Sequence, residues 1–273
     1  MQRRVWAFFA LTLFISWSTW LSAAAAEAGL LPFSIPLAVQ AVGIFGPALA
    51  ALIVAARVEG REGLRRLWRR LVRWRVGWQW YALALLGPAL LFAAAIAIGA
   101  LLGLSVDLSR PAVLDLVGDD SLSPWLLLPP LFLYTLITVA GEEIGWRGYA
   151  LPHLLDQQSP LVASLIVGLV WGLWHVPLAS LPETGAGIVH IPIFWFMVDI
   201  LGASILYTWI FRRSGRSLLI IVLLHTANNV AASYLPILPP AAPLNVFLIN
   251  VALKWGLVAL ALGDWKRQAR LAA

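Results

Sequence analysis

Cysteine is absent from this chain, and charged residues are scarce. With no cysteine among 273 residues, the chain forms no disulfide, offers no cysteine ligand to a metal and has no thiol nucleophile. Only 12% of its residues are charged, against about a quarter in soluble domains. In contrast, 61% are hydrophobic and the mean hydropathy is +0.86. This composition excludes a soluble globular enzyme and predicts a polytopic membrane protein.

Long apolar runs predict the transmembrane segments. A membrane-spanning helix needs about 20 mostly apolar residues. We therefore expect an all-α fold of about eight helices, in a single integral membrane domain over residues 1–273, with the polar motifs within about 124–235. The first run can also be interpreted as a signal peptide, but polar residues near its end favour a retained helix. The expected spans are 5–26, 36–56, 78–103, 124–151, 160–178, 190–211, 217–235 and 243–262.

The positive charge lies in short connections between apolar runs. A net charge of +6 placed in this way is typical of membrane proteins and does not indicate nucleic acid binding. Residues 57–75 hold eight arginines and two glutamates. Because leucines and a tryptophan interleave at helical spacing, this segment is expected to be an amphipathic helix on anionic lipid. The positive-inside rule then predicts that both termini are cytoplasmic and that the acidic connection 105–123 is outside.

One polar stretch interrupts the fourth apolar run, Gly141-Glu142-Glu143-Ile144-Gly145-Trp146-Arg147-Gly148-Tyr149. On a helix Glu143 and Arg147 are four residues apart and can pair on one face, whereas Glu142 points about 100° away. Glu142 is therefore the candidate general base. An ordinary cytoplasmic helix end, with charges among the headgroups, is the alternative interpretation of the same residues.

Two later spans also carry polar residues. His175 ends the sequence Trp171-Gly172-Leu173-Trp174-His175, and His225 and Asn229 share a face because they are four apart. The distances of these residues from the cytoplasmic helix ends overlap at about 15 to 22 Å. We expect them to meet Glu142 in a cavity open to the cytoplasm. Helix association alone is the competing explanation, and it is preferred for Asp199 and Lys254. The remaining histidines are assigned to loops or interfaces, His153 and His190.

The three motifs together resemble the CPBP family of intramembrane proteases, which includes the type II CAAX prenyl endopeptidases and relatives linked to bacteriocin processing or immunity. The pattern is Glu142-Glu143-x-x-x-Arg147, an aromatic residue four before His175, and His225-x-x-x-Asn229. The similarity runs from Gly46-Pro47 to Asn229. One departure is Trp171, where the family usually has phenylalanine; an aromatic packing role is expected for it.

The resemblance implies a mechanism without metal or cofactor at the cell membrane. Glu142 with His175 would activate water for attack on a peptide carbonyl, and His225 with Asn229 would stabilise the oxyanion. Glu143, Arg147 and Trp171 would support them. The substrate would be a membrane-associated peptide or protein. Three alternatives stay open from the residues: a non-proteolytic binding or immunity protein, a transporter, and a zinc protease with ligands Glu142, His175 and His225.

Overall fold

The computed structural model describes residues 2–109, 111, 113–114, 121–181, 190–239 and 241–272. Four charged residues of the expected outer connection lie outside the described residues, namely Arg110, Asp115, Asp119 and Asp120. No β-strand occurs in these described ranges, as expected where membrane-spanning backbone must satisfy its own hydrogen bonds. The fold is therefore all-α, as the composition predicts.

The described residues form eleven α-helical segments. Two π-helical turns continue the chain, Ala55–Glu59 between α3 and α4 and Ile144–Ala150 between α6 and α7, and a 3-10 turn, Val176–Ser180, follows α8. Counted through these turns, the described part has nine continuous helices. The segments are α1 Gln2–Glu27, α2 Leu37–Ile44, α3 Gly46–Val54, α4 Gly60–Leu71, α5 Trp78–Leu101, α6 Pro124–Glu143, α7 Leu151–Leu155, α8 Pro160–Trp174, α9 Ile193–Arg213, α10 Leu218–Tyr234 and α11 Leu244–Ala272.

The expected eight spans are matched in part. Among the described residues six helices are long and apolar enough to cross a membrane, and a seventh crossing results if α2 and the helix Gly46–Leu71 are counted together. The chain is thus a multi-pass membrane protein. The six helices are Arg3–Glu27, Trp78–Leu101, Pro124–Leu155, Pro160–Ser180, Ile193–Arg213 and Leu244–Leu271.

The expected span 36–56 is not one straight helix. It bends by 51° between α2 and α3. Pro47 has no N–H to donate to the carbonyl of Gly43, and that carbonyl accepts from the Ser16 hydroxyl at 2.7 Å. The bend therefore follows from a proline whose missing hydrogen bond is replaced by a contact with α1.

The expected span 217–235 is a short helix. Ser217 caps α10 at its start, where its hydroxyl accepts from the Ile220 N–H, and the helix ends at Tyr234, two residues before Pro236. The 17 residues of α10 reach about 25 Å, less than the hydrocarbon core of about 30 Å. Helix α10 is therefore shorter than an ordinary membrane-spanning helix.

The helix contacts run in a cycle around the site. Helix α1 packs on α3, α3 on α6, α6 on α10, α10 on α5, α5 on α11, α11 on α9, α9 on α8, and α8 returns to α1. Aromatic side chains fill the interior, with the rings of Trp20 and Trp146 lying 4.7 and 6.0 Å from that of Trp174. The Trp174 N–H donates to Ser16 at 2.7 Å. Helix α1 is therefore a part of the core that holds the end of α8.

The close approach of α3 to the second π-helical turn predicts the effect of a single methyl group. A Cβ on Gly145 would lie 2.5 Å from the Pro47 Cβ and 2.6 Å from the Pro47 carbonyl oxygen. Gly145→Ala must therefore push α3 away from the turn, and we expect it to destabilise the protein by about 1 to 3 kcal/mol. Thermal unfolding of the detergent-solubilised protein measures this loss.

The matched control is Gly256→Ala in α11, where no atom lies within 4 Å of the new Cβ. Alanine is the better helix former, so this variant should melt at or slightly above the temperature of the wild type. Equal melting temperatures for the two variants would contradict the close packing inferred for Gly145.

Candidate active site

Both glutamates of the motif are buried where α6 passes into the π-helical turn. Glu142 is 8% exposed, whereas Glu143 and Arg147 are fully buried. Arg147 donates to Glu143 Oε1 at 2.9 Å, as the four-residue spacing predicts. Glu142 points elsewhere, and its Oε2 accepts from the indole N–H of Trp171 at 2.9 Å. The two adjacent carboxylates therefore have different partners, one a cation and the other a neutral donor.

The π-helical turn Ile144–Ala150 is a feature that the sequence did not predict. π-helical turns are uncommon and occur often at functional sites. Helix α4 contacts this turn, because Arg70 donates to the carbonyl oxygen of Gly148 at 2.7 Å. His153 in α7 bonds the Tyr149 carbonyl at 2.7 Å and Glu59 at 2.9 Å. The basic segment thus contacts the turn that carries Arg147, and His153 lies at an interface as expected.

Aromatic rings enclose the buried guanidinium of Arg147. Its Cζ lies 4.2 Å from the ring centroid of Trp171 and 4.9 Å from that of Tyr207. Cation–π contacts of this kind are strongest where water is excluded. A buried ion pair is tolerated only in favourable surroundings, and these rings form part of the surroundings of Arg147 beside Glu143. Tyr207 was not identified from the sequence, where it is one aromatic residue in an apolar span.

The histidine of α10 joins the same cluster. His225 Nδ1 lies 2.9 Å from Glu143 Oε1, so this oxygen accepts from Arg147 and His225 together. The His225 ring meets the rings of Trp171 and Tyr207 at 5.4 and 5.7 Å. Through His225, helix α10 contacts Glu143 of α6, Trp171 of α8 and Tyr207 of α9.

The other histidine lies at the end of α8 rather than inside it. α8 ends at Trp174, and His175 follows as its half-buried C-terminal cap. His175 Nδ1 is 2.8 Å from the carbonyl oxygen of Trp171. A carbonyl oxygen can only accept, so Nδ1 carries the proton and Nε2 of the neutral ring is an acceptor. Phe196 of α9 packs against the ring at 5.3 Å.

Asn229 is the candidate that the network does not include. It is exposed, one turn beyond His225 on α10, and its amide oxygen accepts from Asn228 at 3.2 Å. Within the described ranges, the hydrogen bonds and ring contacts that link the other six candidates do not reach it. These six are Glu142, Glu143, Arg147, Trp171, His175 and His225.

An acidic residue of α9 pairs with a basic residue of α11. Asp199 of α9 and Lys254 of α11 form an ion pair at 2.6 Å, as expected for residues that join helices.

In the described part of the chain, no three histidine, aspartate or glutamate side chains are grouped as metal ligands. The three residues considered as zinc ligands instead have separate partners: Trp171 N–H for Glu142, the Trp171 carbonyl for His175, and Glu143 for His225.

The geometry combines groups suited to hydrolysis. Glu142 is a carboxylate with no cation bonded to it among the described residues, which suits a proton acceptor. His175 Nε2 is an acceptor near the same tryptophan, and the His225 ring and the Asn229 amide carry N–H donors.

Comparison with known proteins finds a similarity over the part of the chain that carries these residues. The family model described as Type II CAAX prenyl endopeptidase Rce1-like matches residues 124–231, which include all seven candidate residues. The chain is also similar to CAAX prenyl protease 2 of Methanococcus maripaludis, with 32% identity over 114 residues. This stretch is 40% of the present chain and 42% of the relative, so it spans less than half of either protein. Residues 124–231, which carry the candidate site, are therefore similar to the Rce1-like type II CAAX prenyl endopeptidases.

Proposed function

We propose that the chain is an intramembrane endopeptidase that hydrolyses a peptide bond of a membrane-associated peptide or protein. The observation that supports this most is the division of partners between the two glutamates. Glu143 accepts hydrogen bonds from Arg147 and His225, whereas in the described region Glu142 accepts only from the neutral indole N–H of Trp171. Glu142 is therefore the carboxylate placed to accept a proton.

In the proposed reaction, Glu142 removes a proton from water while the water oxygen attacks the peptide carbonyl carbon. His175, through Nε2, orients that water. The carbonyl oxygen becomes an oxyanion, which accepts hydrogen bonds from His225 and from the Asn229 amide. Glu142 then returns the proton to the departing nitrogen as the C–N bond breaks. Water is the only co-reactant.

The substrate class is also a proposal. The matched relative is a CAAX prenyl protease, so a prenylated peptide is the first substrate to test, followed by other membrane-associated peptides. A non-catalytic binding or immunity protein is the second candidate. The exposed position of Asn229, outside the network of the other six residues, favours it, because a polar cluster can bind a peptide without hydrolysing it.

We propose that α4 binds anionic lipid on the cytoplasmic surface. Arg65, Trp68 and Arg69 are exposed, and together with Leu64 they line a shallow depression. Guanidinium groups next to leucine and tryptophan suit a phosphate headgroup and the start of its acyl chains. The inner face of the same helix contacts the π-helical turn through Arg70.

We further propose eight crossings in the cell membrane, with both termini and the opening of the site cytoplasmic. This arrangement counts the bent pair α2 and α3 as one crossing and the short α10 as another. The arginines of α4 and those that end α9, Arg212 and Arg213, then lie on the same side, in agreement with the positive-inside rule.

The proposed role of Glu142 predicts that Glu142→Gln stops turnover in folded protein. The amide keeps the size of the side chain but cannot accept a proton, and loss of general-base catalysis costs about 10² to 10⁴ in rate. Membrane proteomes of cells with wild type and variant should differ by a cleaved fragment that needs Glu142. Glu62→Gln is the control, because Glu62 is an exposed carboxylate on α4. The same fragment in the presence of Glu142→Gln would refute the proposal.

The zinc alternative is tested with purified wild-type protein. Turnover by the purified wild type should persist after exhaustive chelation of divalent metals. Activity that disappears on chelation and returns with added zinc would favour a metalloprotease.

The supporting role of Glu143 predicts a loss of stability. Glu143→Gln leaves the fully buried Arg147 without its counter-charge, and breaking a buried pair in this way costs about 3 to 5 kcal/mol. Thermal unfolding in detergent should show a much lower melting temperature than for wild type. Glu62→Gln, which breaks the exposed contact with Arg69, should change it little. A wild-type melting temperature for Glu143→Gln would rule out the supporting role.

The number of crossings is tested with single cysteines, because the chain has none of its own. Cysteines at the exposed positions Arg65, Asp107 and Arg267 should react with an impermeant maleimide from the inside, the outside and the inside, respectively. Arg267 distinguishes the models: if α10 does not cross, the C-terminal end of α11 is labelled from the outside.

A further inference from the structure

We infer that Trp171 positions the general base of the proposed reaction, because its indole N–H holds the Glu142 carboxylate and its carbonyl oxygen holds His175. The inference rests on the proposed function. It assigns to Trp171 a role that the sequence did not suggest, since a packing role requires only an aromatic ring.

The first contact is the hydrogen bond to Glu142. Trp171 Nε1 and Glu142 Oε2 are 2.9 Å apart, and both residues are buried. A buried carboxylate needs donors to replace water, and the nearby donors of Arg147 and His225 are bonded to Glu143. The indole N–H therefore fixes Oε2, and the carboxylate presents Oε1 to the water that it deprotonates.

The second contact orients the histidine. The Trp171 carbonyl oxygen accepts from His175 Nδ1 at 2.8 Å, which fixes the tautomer whose Nε2 is an acceptor. One residue thus sets the direction of the carboxylate through its side chain and that of the imidazole through its backbone. The relative position of the two groups depends on where the indole ring lies.

The ring itself is held from several directions. Arg147 lies over it at 4.2 Å, and the rings of His225 and Tyr207 meet it at 5.4 and 6.0 Å. A phenyl ring would keep part of this stacking and would leave the backbone contact to His175 unchanged. It has no N–H, so Trp171→Phe removes the bond to Glu142 selectively.

The effect should be on the chemical step. A carboxylate displaced by about 1 Å can cost about 10²-fold in rate, while substrate binding does not use the Glu142 bond. We therefore expect Trp171→Phe to lower kcat by about 10- to 100-fold with KM nearly unchanged.

The matched control is Trp209→Phe at the junction of α9 and α11. Trp209 donates its indole N–H to Asp264 Oδ2 at 2.9 Å, so the substitution removes the same kind of bond, of the same length, away from the site. Its kcat and KM should equal those of wild type. If Trp171→Phe fails to fold, the tryptophan analogue β-(3-benzothienyl)alanine at position 171 keeps the shape and lacks only the N–H.

Purified wild type, Glu142→Gln and the two tryptophan variants are assayed together on a prenylated reporter peptide and on the membrane substrate found by proteomics. A low kcat with normal KM for the position 171 variant, with normal kinetics for Trp209→Phe, supports the inference. A wild-type kcat at position 171, while Glu142→Gln is inactive, overturns the inference alone. Activity in Glu142→Gln, or none in wild type, overturns the proposed function and the inference with it.

Discussion

The fully buried ion pair of Glu143 and Arg147 imposes the arrangement of the surrounding helices. Charges removed from water are tolerated only with close partners. The pair lies at the end of α6, but the groups that accommodate it come from elsewhere: Trp171 from α8, Tyr207 from α9 and His225 from α10. Four helices must therefore meet at this point for the charges to remain buried, and the geometry of the site follows from that requirement.

Contacts from outside these four helices support the segments that carry the pair. Arg70 of α4 donates to the Gly148 carbonyl, and the Trp174 indole N–H donates to Ser16 of α1. Pro47 has no N–H to bond the Gly43 carbonyl, and this carbonyl accepts from the Ser16 hydroxyl instead. The bend between α2 and α3 therefore involves the same serine that accepts from Trp174. Helices α1 and α4 carry no candidate catalytic residue, but they contact the end of α8 and the π-helical turn, which do.

The sequence predicts most of the helices and one contact of the site from the pattern of apolar residues and from helical spacing. Uninterrupted apolar runs give the helices, and the spacing of Glu143 and Arg147 gives their pairing. The rest depends on tertiary contacts that no local pattern encodes. Neither the π-helical turn nor the distance between Tyr207 and Arg147 follows from helical spacing, since each depends on a neighbour remote in sequence. Asn229 shows the limit of shared-face arguments, because it shares the His225 side of α10 yet lies where that face is exposed.

The adjacent glutamates gain different chemistry from this packing although their sequence context is nearly the same. Arg147 and His225 both donate to one oxygen of Glu143, so this side chain has two close donors. Rotation by about 100° along the helix turns Glu142 towards α8, where its donor is a neutral indole. This donor fixes the direction of the Glu142 carboxyl group. In the proposed reaction that group accepts the proton from water, and the aromatic residue that holds it is then part of the site.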